Sequence, residues 1–131
     1  MNRLKLILFV AGAVLVVSGC GAGSNTGSNN STAGQAPKQL VNIPSKPASQ
    51  IQLTDTSMPG YKLFQQTCAS CHGPKGQGDY GPPIYAIGQY WNTQQLTAFV
   101  EQGRGGMPPR GGLTSDSQVQ QVVVWLEKQG K

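Results

Sequence analysis

Cys68-Ala69-Ser70-Cys71-His72 is the most informative run of residues in this 131-residue sequence. Two cysteines separated by two residues and followed directly by a histidine form the pattern through which haem c is attached. The thiols are spaced to add to the two vinyl groups of the haem, and the histidine is placed to bind the iron. His72 is the only histidine in the chain. The stretch therefore predicts one covalent haem c, held by Cys68 and Cys71 and ligated by His72.

The two cysteines allow three other interpretations. A structural zinc site needs a second pair of ligands, and the only other cysteine is Cys20, far before Cys68 in the chain. A thioredoxin-like redox pair follows a strand in an α/β fold, whereas the residues before Cys68 have a helical pattern. A disulfide between Cys68 and Cys71 suits an exported protein but leaves His72 without a role. Haem attachment accounts for all three residues.

Residues 1–19 have the composition of an export signal. Arg3 and Lys5 precede an uncharged apolar run over 6–17, which is too short to span a bilayer. The sequence Val17-Ser18-Gly19-Cys20 resembles the bacterial lipobox. That resemblance implies cleavage before Cys20 and a diacylglycerol thioether on its sulfur. We therefore expect a protein that is anchored to the membrane by lipid, on the outer face of the bacterial cytoplasmic membrane, and does not span it.

Residues 20–55 are rich in Gly, Ser, Asn, Thr, Gln and Pro and contain no acidic residue before Asp55. Such a segment buries too little apolar surface to offset the entropy of ordering it. It is predicted to be a flexible tether between the lipid and a folded domain over 56–131. The stretch 40–53 is slightly more apolar, so packing of this stretch against the domain is an alternative, while its prolines argue against a regular element.

The folded part shows short helical patterns separated by loops rich in Gly and Pro, and no strand pattern. Three helices are predicted. The first covers 59–70, the second covers 93–102 with Asn92 or Thr93 as its N-cap, and the last starts at Thr114 or Ser115. Loops are predicted over 73–88 and 103–112. The expected fold class is all-α, with three to four helices around one haem.

The charge excludes one class of partner. The chain carries a formal charge of +5, but part of it lies in the signal segment, and the folded part is close to neutral. No basic stripe interleaved with aromatic residues is present, so nucleic-acid binding is not expected. The length allows one ordinary domain, and we expect a monomer.

Two further segments carry a resemblance to the class I cytochromes c. The run from Gly60 to Cys68 is similar to the N-terminal helix of that family, with a glycine eight residues and an aromatic four residues before the first haem cysteine. The run Val122-Val123-Val124-Trp125-Leu126 is similar to its C-terminal helix. Glycine would let the two helices approach closely, with Phe64 and Trp125 filling the crossing.

The resemblance also implies how the iron is ligated. Gly81-Pro82-Pro83-Ile84 resembles the family's Gly-Pro-x-Leu segment, in which the proline carbonyl accepts the N–H of the haem histidine. Met107 lies in a Gly-Gly-Met-Pro-Pro loop between the last two predicted helices, where the family carries its methionine ligand. The implied sites are Pro82 beside the cofactor and Met107 as the sixth ligand. Met58, by contrast, precedes the first helix.

Several other residues have two interpretations. The four aromatic residues Tyr80, Tyr85, Tyr90 and Trp91 are candidates to line the haem pocket or to bond the haem propionates, with ordinary packing as the alternative. Arg104 is expected either to pair with a propionate or to be solvated.

The resemblance implies a short, lipid-anchored monohaem bacterial cytochrome c with no enzymatic activity of its own. His/Met ligation raises the potential and suits reversible electron transfer. The family suggests a quinol-oxidising cytochrome complex as electron donor and a terminal oxidase as acceptor. The alternatives are a peroxidase-like haem enzyme or gas sensor with a labile sixth ligand, and a subunit fixed within a larger complex.

Overall fold

The computed structural model describes residues 36–131. The signal segment, Cys20 and the first part of the predicted tether lie outside the described residues. Within 36–131 the regular structure is helical, and no strand is present beyond an isolated bridge between Arg104 and Met107. The all-α prediction is confirmed. None of the helices in this part of the chain is long and apolar enough to cross a membrane.

The first helical unit runs without a break from Pro59 to His72. It consists of α1 (Pro59–Leu63), a π-helical turn (Phe64–Cys68) and α2 (Ala69–His72). Pro59 stands at the start, where a missing N–H costs nothing. In the π turn the Ala69 N–H donates to the Phe64 carbonyl, five residues back. The sequence predicted this helix, but it ends two residues later than expected and its widened turn was not foreseen.

The other two helices match their predicted positions. Helix α3 (Thr93–Gln102) begins with a capping box, in which Asn92 and Gln95 each accept a hydrogen bond from the other's backbone N–H. Helix α4 (Asp116–Glu127) has Ser115 as its N-cap, bonded by the Gln118 N–H. The Gln118 side chain, however, accepts from the Thr114 N–H and not from the Ser115 N–H, so the second hydrogen bond of a capping box is not formed here. Sequence patterning therefore located both helix starts to within one or two residues.

The core forms where α4 crosses α1 and packs on α3. Its buried face is Val119, Val122, Val123, Trp125 and Leu126. The ring of Phe64 lies 5.0 Å from that of Trp125, centroid to centroid. A Cβ on Gly60 would come within 2.1 Å of the Gln121 carbonyl oxygen. Only glycine allows this close crossing, as the sequence suggested.

The chain before α1 wraps around the helices as a strap, defined here as residues 37–55. Ile43 and Ile51 are almost completely buried, although the sequence assigned them to the tether. The Gln129 side chain, also buried, pairs with both backbone groups of Thr54: its Oε1 accepts from the N–H at 3.0 Å and its Nε2 donates to the carbonyl at 3.1 Å. The Trp125 indole N–H donates to the same carbonyl. This part of the predicted tether is packed on the domain.

Candidate haem site

The end of the first helical unit presents Cys68, Cys71 and His72. Cys68 and Cys71 are three positions apart, which places them on one side of a helix. Both are free thiols; Cys68 is half-buried against the core and Cys71 is exposed. The Thr67 hydroxyl donates to the Leu63 carbonyl at 2.8 Å inside the widened π turn. Because a π turn holds an extra residue, it rotates the end of the unit that carries the cysteines relative to the part that packs on α4.

The Cys68 thiol has the wrong electrostatics for thiol redox chemistry. Burial raises its pKa, Cys71 nearby raises it further, and only the hydrogen bond with Thr67 opposes this. Reactive redox cysteines depend on a lowered pKa, which keeps the thiolate populated. The raised pKa and the helix, instead of a strand, that leads into Cys68 together argue against the thioredoxin-like interpretation. Neither thiol is engaged in a disulfide, so both sulfur atoms are available for thioether bonds.

The His72 ring is held by a backbone carbonyl. Its Nδ1 lies 2.9 Å from the Pro82 oxygen. A carbonyl oxygen only accepts hydrogen bonds, so Nδ1 must carry the proton and donate. The neutral imidazole then has its lone pair on Nε2, the form in which histidine binds a metal. This is the contact that the family resemblance implied for Pro82.

The loop that carries Pro82 is fastened directly to the haem-binding motif. The Gly81 N–H donates to the Cys71 carbonyl and the Gly78 N–H donates to the His72 carbonyl, each at 2.8 Å. A Cβ on Gly81 would lie only 2.8 Å from both Nδ1 and Cε1 of His72. Glycine is therefore required beside the ring, because a side chain there would push the imidazole off Pro82.

Met107 lies at the end of a tight turn. The Arg104 N–H donates to the Met107 carbonyl and the Met107 N–H donates to the Arg104 carbonyl, both at 3.0 Å, across Gly105 and Gly106. The Met107 side chain packs at the edge of the core. Met58 lies elsewhere, beside a small cavity that it shares with Gln121 and Val124 of α4. The structure thus gives the two methionines different surroundings, and the loop methionine has a rigid backbone support.

Arg110 fixes the rest of this loop, a role that the sequence analysis missed. Its guanidinium donates to both carboxylate oxygens of Glu101, at 3.0 and 3.2 Å, and also to Asp116. These two carboxylates raise the pKa of Arg110. The pairs join the loop to α3 and α4 and stiffen the chain that follows Met107. The acidic partners lie nine residues before and six residues after Arg110, so no local pattern reveals them.

The remaining candidates either make contacts within the protein or are exposed. The Arg104 guanidinium donates to the carbonyls of Pro37 and Lys38 in the strap. Trp91 is buried with its ring 4.9 Å from that of Phe99, and the Tyr85 hydroxyl donates to the Pro44 carbonyl at 2.8 Å. The other two tyrosines are exposed: Tyr80, at 92%, and Tyr90, at 41%.

The donor set fits haem iron. It consists of one imidazole with a free Nε2 lone pair and two cysteine sulfurs on one side of the helix that ends at that imidazole. Within residues 36–131, His, Cys, Asp and Glu side chains nowhere gather in threes that could hold a metal ion on their own. A helix that presents two thiols and a carbonyl-bonded histidine in an all-α domain defines the class of c-type haem proteins.

Comparison with known proteins agrees with this class. The family model described as cytochrome c oxidase, cbb3-type, subunit III matches residues 55–126, more than half of the chain. The chain belongs to this family: it is a small monohaem c-type cytochrome and carries covalently bound haem c.

Relatives with curated descriptions share only part of their length with this chain. Cytochrome c-551 of Bacillus subtilis (strain 168) is 32% identical over 73 residues, which cover 56% of this chain and 63% of the relative. The menaquinol:cytochrome c reductase cytochrome c subunit of Geobacillus thermodenitrificans is 34% identical over 72 residues, covering 53% and 27%. The cbb3-type cytochrome c oxidase subunit CcoP of Rhodobacter capsulatus is 29% identical over 82 residues, covering 59% and 26%. The chain thus spans less than two thirds of each relative.

Proposed function

We propose that this protein is a lipid-anchored electron carrier, which passes one electron at a time between respiratory membrane complexes. The observation that carries the proposal is the hydrogen bond from His72 Nδ1 to the Pro82 carbonyl at 2.9 Å. It selects the tautomer that binds iron through Nε2 and makes the ring a stronger donor.

Each site residue has a separate task in this proposal. Cys68 and Cys71 would form the thioether bonds to the haem, and His72 and Met107 would bind its iron. The bound haem supplies reversible one-electron chemistry. The chain's own contribution is to hold the ligands still: the Gly81 and Gly78 amides fasten the loop of Pro82, and the turn at Arg104 fastens Met107. With both ligands firmly held, the iron would have no free position for oxygen, carbon monoxide or peroxide.

The anchor and the location belong to the same proposal. Cys20 is the lipidated N-terminus of the mature chain, and residues 21–36 connect it to the strap. Fully extended, these residues would span roughly 55 Å, so the domain could reach neighbouring membrane proteins on the outer face of the cytoplasmic membrane. The protein works as a monomer and does not bind nucleic acid.

The partners are proposed from the relatives. One is named as the cytochrome c subunit of a menaquinol:cytochrome c reductase and another as a subunit of a cbb3-type oxidase. A tethered carrier whose domain belongs to the same family could pass electrons from one such complex to the other. The donor is therefore a quinol-oxidising cytochrome complex and the acceptor is a terminal oxidase.

Mass spectrometry and spectroscopy of the exported protein test the haem part. In cells competent for cytochrome c maturation, the mature chain should carry the mass of one covalent haem, and Cys68→Ala or Cys71→Ala should lose at least one thioether. The reduced protein should not bind carbon monoxide at neutral pH. Ready binding of carbon monoxide by the unaltered protein would contradict the carrier and favour the gas sensor or peroxidase.

Fractionation tests the anchor. Cys20→Ser should block lipobox processing, whereas a chain exported by an ordinary cleavable signal and starting at residue 21 should be released in soluble form with an unchanged haem spectrum. If this released chain still sediments with membranes after a high-salt wash, the anchor is not the lipid on Cys20.

A further inference from the structure

The strap reaches the turn that carries Met107. The guanidinium of Arg104 donates one hydrogen bond to the Pro37 carbonyl at 3.0 Å and one to the Lys38 carbonyl at 2.9 Å. The backbone of the same arginine makes the two reciprocal bonds with Met107. Arg104 thus holds the strap with its side chain and the methionine with its main chain.

The strap also reaches the loop that carries Pro82. The Lys75 ammonium donates to the Ile51 carbonyl at 3.0 Å, and the Tyr85 hydroxyl donates to the Pro44 carbonyl at 2.8 Å. Lys75 and Tyr85 lie on either side of Pro82 in the loop that follows His72. The strap is therefore bonded to the loops of both candidate iron ligands, although it contains no ligand itself.

The strap is fastened independently at its other end. Thr54 pairs with the buried Gln129 and with Trp125, and Lys128 Nζ lies 3.1 Å from an Asp55 carboxylate oxygen. These contacts are with the C-terminal end of α4 and its extension, not with either ligand loop. Release of the strap at Arg104 would therefore leave the Thr54 end in place.

We propose that residues 37–55 form a clamp across the two ligand loops and that Arg104 is a positioning residue for Met107. The inference rests on the proposed His72/Met107 ligation. The guanidinium keeps the strap against the turn, and the strap limits how far the turn swings away from the haem face. A segment with the composition of a tether thereby takes part in holding the sixth ligand.

A matched pair of variants in the full-length haem protein tests this. Arg104→Gln removes the charged link at the Met107 turn, and Lys128→Gln removes a charged link at the opposite end of the same strap. Hydrogen exchange of the Met107 amide reports on the turn without relying on the iron. Carbon monoxide association with the reduced protein, and the Met–iron charge-transfer band of the oxidised protein, report on ligation.

Arg104→Gln is expected to accelerate exchange of the Met107 amide and carbon monoxide association about tenfold, since two exposed charge-assisted bonds are lost. Lys128→Gln should change each rate less than twofold, and Arg104→Lys should restore part of the protection. Equal effects of the two glutamine variants, or none from Arg104→Gln, would overturn the inference.

A third variant separates this inference from the proposed function. Met107→Ala should bind carbon monoxide rapidly whether or not the strap is in place. If the unaltered protein binds carbon monoxide as fast as Met107→Ala, the proposed ligation fails. The amide exchange of Met107 then still decides whether Arg104 and the strap hold the turn.

Discussion

Replacing Gly60 by alanine tests the closeness of the crossing between α1 and α4. The added Cβ would stand 2.1 Å from the Gln121 carbonyl oxygen and 2.6 Å from Trp125 Cβ. Both atoms belong to a helix or lie next to its backbone, so no side-chain rotation relieves the contact. The helices must move apart by on the order of 1 Å, which also loosens the packing of Trp125 on Phe64.

The expected cost follows from two opposing terms. Overpacking a close-packed core costs about 1–3 kcal/mol, and clashes with backbone place this site at the upper end. Alanine favours a helix over glycine by about 1 kcal/mol, which offsets part of the cost. The net loss should be about 2 kcal/mol, equivalent to a fall in Tm of about 8–16 °C for a domain of this size.

Thermal and urea unfolding of the oxidised haem protein, followed by far-UV circular dichroism, measure this loss. Gly106→Ala is the matched control, because a Cβ there meets nothing within 4 Å, and a surface change of this kind should stay within about 0.5 kcal/mol. An unchanged midpoint for Gly60→Ala would refute the close crossing. A loss as large for Gly106→Ala would show that the assay responds to something other than helix packing.

Three other perturbations have defined outcomes. Met107→Ala should lower the potential and open the reduced protein to carbon monoxide, whereas Met58→Ala should do neither; redox titration and flash photolysis check this. Gln129→Ala should cost about 1–3 kcal/mol in urea unfolding, because the buried Gln129 side chain is lost and the part-buried Thr54 N–H loses the oxygen that accepts from it. The hydrogen bond from Thr93, with Lys131 nearby, holds the pKa of Glu127 below its usual range. Its stabilisation is therefore present above the carboxyl pKa of the unfolded chain and is lost as pH falls through the lower folded value. Glu127→Gln should accordingly lose less stability than the unaltered protein between about pH 5 and pH 3.

The helices could be predicted because their signals are local. Asn92 and Ser115 cap the helices that follow them, and the apolar spacing of α4 marks the face that is buried. The π turn at Phe64–Cys68 could not be predicted, because it covers only 5 residues, too few for a helical period to be read from their pattern. The sequence therefore located the helices better than their internal geometry.

The site residues, too, divide into those that a local motif identifies and those whose partners are distant in the sequence. The motif at Cys68 and the Gly-Pro segment at Pro82 are short and were recognised directly, and the structure has Pro82 bonded to His72. Arg110 and Arg104 were not assigned their contacts, because their partners lie at positions that only the folded chain brings near. Composition also hid the strap: its burial depends on Ile43 and Ile51, two apolar residues in an otherwise polar stretch.

The strap changes where the working domain begins. The family match starts at residue 55, so nearly the whole strap lies before it, and a domain cut at that boundary would lose Ile43 and Ile51 from the core. Burying each isoleucine contributes about 1.5–3 kcal/mol, a large share of the net stability of so small a domain. The same cut would remove every contact of the strap with Arg104, Lys75 and Tyr85. Stability and, under the proposed ligation, the hold on the loops of Pro82 and Met107 thus depend on the same segment.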